Sequence, residues 1–205
     1  MSSSSLIFWL ACAATFFWAV GAYNRLVRLR AAVRKAFAAL DDLLLRQVVW
    51  VQGCLPASMR SGAAPEESGE ALPGETEAVW SRLSAASEQF SVALAHLRAQ
   101  PIDGVTTASL AMAHEMLLAA WDSAMKDAVA PDADPSAERL NARWMTLLHQ
   151  ALPPQEAFNS TVKTYNSAIR QFPAILLAKL FGFQQAGVIN LLDSSRSSET
   201  AGPLP

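Results

Sequence analysis

Two cysteines in 205 residues are too few for a disulfide framework. Charge is scarce too: 17% of residues are charged, against ~25% in ordinary soluble domains. Sixteen Lys and Arg against 18 Asp and Glu leave a formal net charge of −2, which gives no electrostatic footprint for nucleic acid. No Walker A loop, no GxGxxG turn and no Gly-x-Ser-x-Gly elbow occurs, so the phosphate cradles and nucleophile turns with a recognisable spacing are missing. No segment alternates with the period of two that marks a half-buried strand. What remains is apolar: 52% hydrophobic residues, too many for a disordered chain. The length suits one ordinary domain with an appendage.

Charged side chains are missing altogether from residues 1–24. Within that stretch Leu6–Ala22 is 17 residues of nearly unbroken apolar character, at the lower limit for crossing a bilayer core. Trp18 and Tyr23 stand where amphipathic rings favour the interface. A cleaved signal peptide needs a basic n-region, and Met1–Ser5 has no Lys or Arg. A lipoprotein signal would use Cys12, but Trp9 fills the position that wants a small aliphatic residue. A core helix would keep a polar face. The favoured reading is an uncleaved anchor. Residues 1–46 carry six basic and two acidic residues, a net +4, and the rest carry ten and sixteen, a net −6. The basic cluster directly after the span is the signal for cytoplasmic retention. It places the N-terminus outside and the remainder in the cytoplasm. Arg25, Arg28, Arg30, Arg34 and Lys35 could also meet anionic lipid headgroups, although fixing topology alone explains them.

No Gly or Pro interrupts residues 22–52, enough for about 46 Å of helix. Leu26, Leu29, Val33, Phe37, Leu40, Leu44, Val48 and Val51 share one face of it. The membrane helix is expected to run straight into this one, with Gly21 as the weak point. A Pro/Gly-rich loop covers residues 53–74. Helices follow over Glu75–Gln100 (Trp80, Leu83, Ser87, Phe90, Leu94, Leu97), Thr106–Ala130 (Leu110, His114, Leu117, Trp121, Ala124, Ala128) and Ser136–Leu152 (Ala137, Leu140, Trp144, Leu147, Ala151). Pro153-Pro154 is expected to stop or sharply kink the last of these. A further helix covers Gln155–Phe172, with Phe158, Val162, Tyr165, Ile169 and Phe172 in line, before Pro173 breaks it. Ala174–Phe183 is too short to span a bilayer; it either lies on the membrane or caps the bundle. The predicted fold is all-α, an N-terminal transmembrane helix continuing into a long-helix antiparallel bundle, with shallow coiled-coil-like crossings. The chain divides into an anchor (1–24), a cytoplasmic bundle (25–192) and a disordered tail (193–205).

Two stretches carry a family resemblance. Residues 23–47 read YNRLVRLRAAVRKAFAALDDLLLRQ and residues 161–184 read TVKTYNSAIRQFPAILLAKLFGFQ. With the order of span, basic helix and late YN…FP…GF signature, the chain resembles the LemA family of bacterial membrane proteins. Tyr23, Asn24, Leu26, Val27, Leu29 and Arg30 match at the start; Tyr165, Asn166, Phe172, Pro173, Gly182 and Phe183 match at the end. The resemblance implies one N-terminal membrane helix and a long-helix bundle in the bacterial inner membrane. It transfers no catalytic residue and no cofactor. Relatives associated with membrane compartments of magnetic bacteria hint at membrane organisation.

Candidate chemistry is thin. His96, His114 and His149 fall on three helices, and His114-Glu115 is not a zincin motif because residue 118 is Leu. Cys54 reads as an ordinary thiol. Asp41 and Asp42 point about 100° apart on their helix, away from the geometry of paired acids. Glu66, Glu67, Glu70, Glu75 and Glu77 form an acidic run that reads as a solvated loop in preference to a docking site. Trp50, Trp80, Trp121 and Trp144 fit bundle packing. The favoured function is a non-enzymatic, membrane-anchored interaction or membrane-organising module with an unidentified protein partner. One alternative is an enzyme or ligand-binding bundle with a site lined by His114, Trp121, Trp144 and His149. Another is a cleaved periplasmic bundle.

Overall fold

The computed structural model describes residues 3–56, 74–128, 135–172 and 174–191. Among the described residues there are five helices and no strand: α1 (Ser3–Cys54), α2 (Glu75–Ala99), α3 (Gly104–Ala128), α4 (Pro135–Arg170) and α5 (Ala174–Leu180). The all-α expectation holds. So does the continuity of α1, whose 52 residues pass through Gly21 without a break. At 1.5 Å per residue, α1 is about 78 Å long, far longer than the helices packed on it. Cys54, placed after this helix by sequence reading, belongs to its last turn.

The period of three and four decides what is buried. Leu26, Val33, Phe37, Leu40, Leu44, Val48 and Val51 of α1 are all buried, and Leu29 is half-buried. Each fully buried Leu or Phe removes enough apolar surface from water to contribute about 1.5–3 kcal/mol. Their partners are Leu83, Phe90, Leu94 and Leu97 of α2, Leu110, Leu117 and Trp121 of α3, and Trp144, Phe158, Val162 and Tyr165 of α4. α1 packs chiefly on α4 and α2 chiefly on α3, with a smaller α1–α2 contact closing the bundle. Phe37 meets Phe158 edge-on at 6.0 Å, and the Gln47 amide donates to the Leu147 carbonyl at 3.3 Å, so α1 and α4 run antiparallel. The turn between α2 and α3 is closed by Asp103, whose carboxylate accepts the Thr106 N–H at 3.0 Å as an N-cap.

Two expectations need correction. Pro153 and Pro154 lie inside α4, which runs unbroken from Pro135 to Arg170. The rings remove two backbone donors. Packing on α1 holds the helix on both sides of the pair, at Leu147 before it and Phe158 after it. Secondly, Phe172 does not join the α4 stripe. The helix ends at Arg170, and Phe172 stands 80% exposed beyond it. The greater part of the predicted loop (57–73) and the tail (193–205) lie outside the described residues.

Candidate functional site

The bundle has two ends, and one of them adjoins the apolar run of α1. From Ile7 to Trp18 that run has no bundle around it: Ile7, Phe8, Trp9, Leu10, Phe16 and Phe17 are all exposed. It is long and apolar enough to cross a membrane. The chain returns to this end twice. α2 turns into α3 there through Gln100–Asp103, and α4 delivers α5 there.

α5 ends in a Schellman turn. Phe181 N–H donates to the Leu177 carbonyl at 2.9 Å, and Phe183 N–H to the Ala178 carbonyl at 2.8 Å. Gly182 supplies the left-handed residue this needs, at φ 66°. The turn aims both phenylalanines at α1. The Tyr23 ring lies 4.9 Å from Phe181 and 6.0 Å from Phe183, and the Arg30 guanidinium lies 5.9 Å over the Phe183 ring. The early (Tyr23, Arg30) and late (Gly182, Phe183) halves of the LemA-like signature are therefore one assembly in space.

From Phe183 to Leu191 the chain stays packed on the bundle. Residues 183–191 form an extended strap between α3 and α4. Two asparagines hold it like rungs. The Asn166 amide accepts from the Ala186 N–H and donates to the Ala186 carbonyl, both at 2.8 Å. Asn159 does the same to Ile189, at 2.8 and 2.7 Å. Seven residues of helix rise about 10.5 Å. Three residues of extended chain rise about 10 Å, so the spacings nearly match. The Tyr165 hydroxyl donates to the Gln184 carbonyl at 2.9 Å. Burial pushes the Tyr165 hydroxyl up from its ordinary pKa, with the Arg30 charge acting the other way. His114 closes the far end of the strap at the Leu191 carbonyl, 3.1 Å away. Ala186, Ile189 and Leu191 are buried. Gly187 has to be glycine, because a Cβ there would stand 1.9 Å from Thr107 Oγ1 and 2.9 Å from Gly104 Cα. Asn159 and the strap went unread in the sequence; the only available signal was an asparagine seven residues before Asn166.

Around this assembly lie the basic residues. Arg25, Arg28, Arg30, Arg34 and Lys35 are exposed, and none is in an ion pair among the described residues. Arg30 and Arg34, one turn apart, line a pocket of about 220 Å³ with the Gln100–Asp103 turn, Tyr165, Gly182 and Gln184. A second cleft of about 360 Å³ lies lower, between Trp18, Gly21, Ala22 and Arg25 of α1 and Gln171, Phe172 and Ala174.

Of the other candidates, Trp121 and Trp144 come together while His149 and His96 stand apart from them. Trp121 and Trp144 meet at 5.0 Å in the core, and the Trp121 ring N–H donates to Asn141 at 3.3 Å. His114 is buried against Phe90, and desolvation lowers its pKa to about 4. His149 is exposed and bonds its own helix at the Met145 carbonyl. His96 is exposed on α2. Among the described residues no three His, Cys, Asp or Glu side chains cluster as metal ligands. Asp42 pairs with Arg46 and Asp41 with Arg98, each at 2.7 Å, so both carboxylates are neutralised. Burial raises the Cys54 thiol pKa, which disfavours the nucleophilic thiolate. Glu66, Glu67 and Glu70 lie outside the described residues, as does the Glu75 side chain.

Residues 136–200 match the model of the LemA family, covering α4, α5 and the strap and stopping short of the earlier resemblance at 23–47. No curated protein and no solved structure matches the chain.

Proposed function

For a chain that matches the LemA family over residues 136–200, we propose a non-enzymatic, single-pass tether that holds a helical interaction or membrane-organising module at the cytoplasmic face of the bacterial inner membrane. The observation that carries this is the continuity of α1. Its first part is apolar and exposed, and the same helix, without a break, supplies the core face Leu26–Val51. A bundle built on its own anchor keeps a fixed distance and orientation to the bilayer, as a positioning module requires. The basic residues from Arg25 to Lys35 support an outside N-terminus and a cytoplasmic bundle. They also suit contact with anionic lipid headgroups. The residues that carry the resemblance support the non-enzymatic reading: Tyr165 and Asn166 bind backbone, Gly182 supplies a left-handed turn, and Tyr23 and Phe183 pack on each other. The partner is a protein of the membrane or cytoplasm.

Alkaline carbonate extraction followed by N-terminal sequencing tests the reading. The expected result is a membrane-retained chain that still starts at Met1 or Ser2. A start beyond Ala22 would establish a cleaved periplasmic bundle and overturn the proposal.

A further inference from the structure

α5 is short and thinly buried. Ala178 is its one buried residue. Ala178 lies about 200° around the helix from Leu176, on the side that faces α1 and α4. The opposite side is apolar and open, with Leu176 61% and Leu180 76% exposed, and Phe172, just before the helix, is 80% exposed. Leu176 and Leu180, one turn apart on α5, form a stripe about 6 Å long, and Phe172 just before the helix and Phe181 just after it extend the apolar surface. A stripe of this kind on a seven-residue helix is not explained by packing within the chain.

Its position says what covers it. Gln171, Phe172 and Ala174 line one cleft with Trp18, Gly21, Ala22 and Arg25, and Phe181 touches Tyr23. The stripe therefore sits level with the last turn of the apolar run, where a helix crossing the bilayer leaves it. Arg25, Arg28, Arg170 and Lys179 are all exposed around it, which is the charge complement of an anionic headgroup layer. The run is also short. Seventeen residues rise about 25 Å against a hydrocarbon core of about 30 Å, so the mismatch draws flanking apolar groups toward the lipid.

We propose that α5 is an interfacial helix: the stripe Leu176–Leu180, with Phe172 just before it, dips into the headgroup–acyl boundary beside the span. It acts as a second membrane contact that fixes the bundle's tilt. This rests on the anchoring reading above. The aromatic contact of Tyr23 with Phe181 and the Schellman turn at Gly182 hold the helix in the bilayer plane. The strap then carries the chain back into the bundle.

The test uses the full-length chain in vesicles of phosphatidylethanolamine and phosphatidylglycerol, in a Cys12→Ala, Cys54→Ala background. A polarity-sensitive fluorophore is attached at Phe16→Cys, Leu176→Cys or Met112→Cys. All three side chains are exposed, so no core contact is removed. Spin-labelled lipids then serve as quenchers. The inference expects lipid quenching at 16 and at 176, with the loss at 176 about half or more and greatest for a shallow quencher, and none at 112. Quenching at 16 without quenching at 176 overturns the interfacial helix and leaves the anchor standing. A blue-shifted but unquenched label at 176 overturns it in favour of a protein covering the stripe. No quenching at either position overturns the anchor and the inference together.

Discussion

His114 is the titratable group whose state matters most to the fold. A carbonyl only accepts, so Nδ1 carries the proton toward Leu191, and Nε2 is buried with no hydrogen-bond partner among the described residues. Burial lowers the folded pKa from 6.5 to about 4. The unfolded chain takes a proton below pH 6.5 while the folded chain refuses it until about 4. Stability is therefore complete above pH 6.5 and falls as pH drops through that window, by roughly 3 kcal/mol. Urea unfolding in detergent across that window should show the drop. His114→Asn keeps an amide donor but cannot titrate, and its profile should be flatter. Asn166→Ala strips Ala186 of a donor and an acceptor at once. A local loss of about 2–4 kcal/mol is expected, read as faster amide exchange over 184–191. Asn166→Asp should not rescue it, because a carboxylate cannot donate to the Ala186 carbonyl. Gly187→Ala should cost about 1–3 kcal/mol by overpacking against Thr107. Thr107→Ala should restore only part of this, since Gly104 Cα also stands in the way. Thermal unfolding of the single and double variants checks both statements.

Among the elements, α4 shows local preference yielding to packing. Pro153 is exposed and Pro154 half-buried, and each still costs its helix a hydrogen bond. Pro153→Ala and Pro154→Ala should each raise stability, by about 1–3 kcal/mol, in denaturant titrations. A fall would mean that the rings contribute packing or that the helix path needs them. The stripes of α1, α2 and α3 were readable in the sequence because burial repeats with the helical period, from Leu26 to Val51 and from Leu83 to Leu97. Continuity through the prolines was not readable, because it depends on α1 lying alongside. The strap was not readable either. Residues 184–191 have no period, and their partners Asn159, Asn166, Thr107 and His114 lie on two other helices. Tyr165, Asn166, Gly182 and Phe183 could be named from the resemblance, but the signature does not reveal that they clamp a chain segment and cap a helix.

For the whole molecule, α1 joins the apolar run and the bundle in one rod, and the near end locks that rod in place. Tyr23 and Arg30 grip Phe181 and Phe183, while α4 grips the strap. A single rod of this kind carries the orientation of the apolar run into the bundle, which a bundle on a flexible leash would not. The fold class and the direction of the charge asymmetry were legible early. The convergence of residues 23–30 with 165–191 was not, because it is set by the antiparallel return of α4 along α1. Hydrogen–deuterium exchange of the full-length chain in lipid nanodiscs tests this rigid junction most directly. Amides from Ala19 to Arg30, and those of Ala186 and Ile189 in the strap, should exchange as slowly as those of the bundle core. Rapid exchange around Gly21 would instead establish a hinge between anchor and bundle, contradicting the single rod.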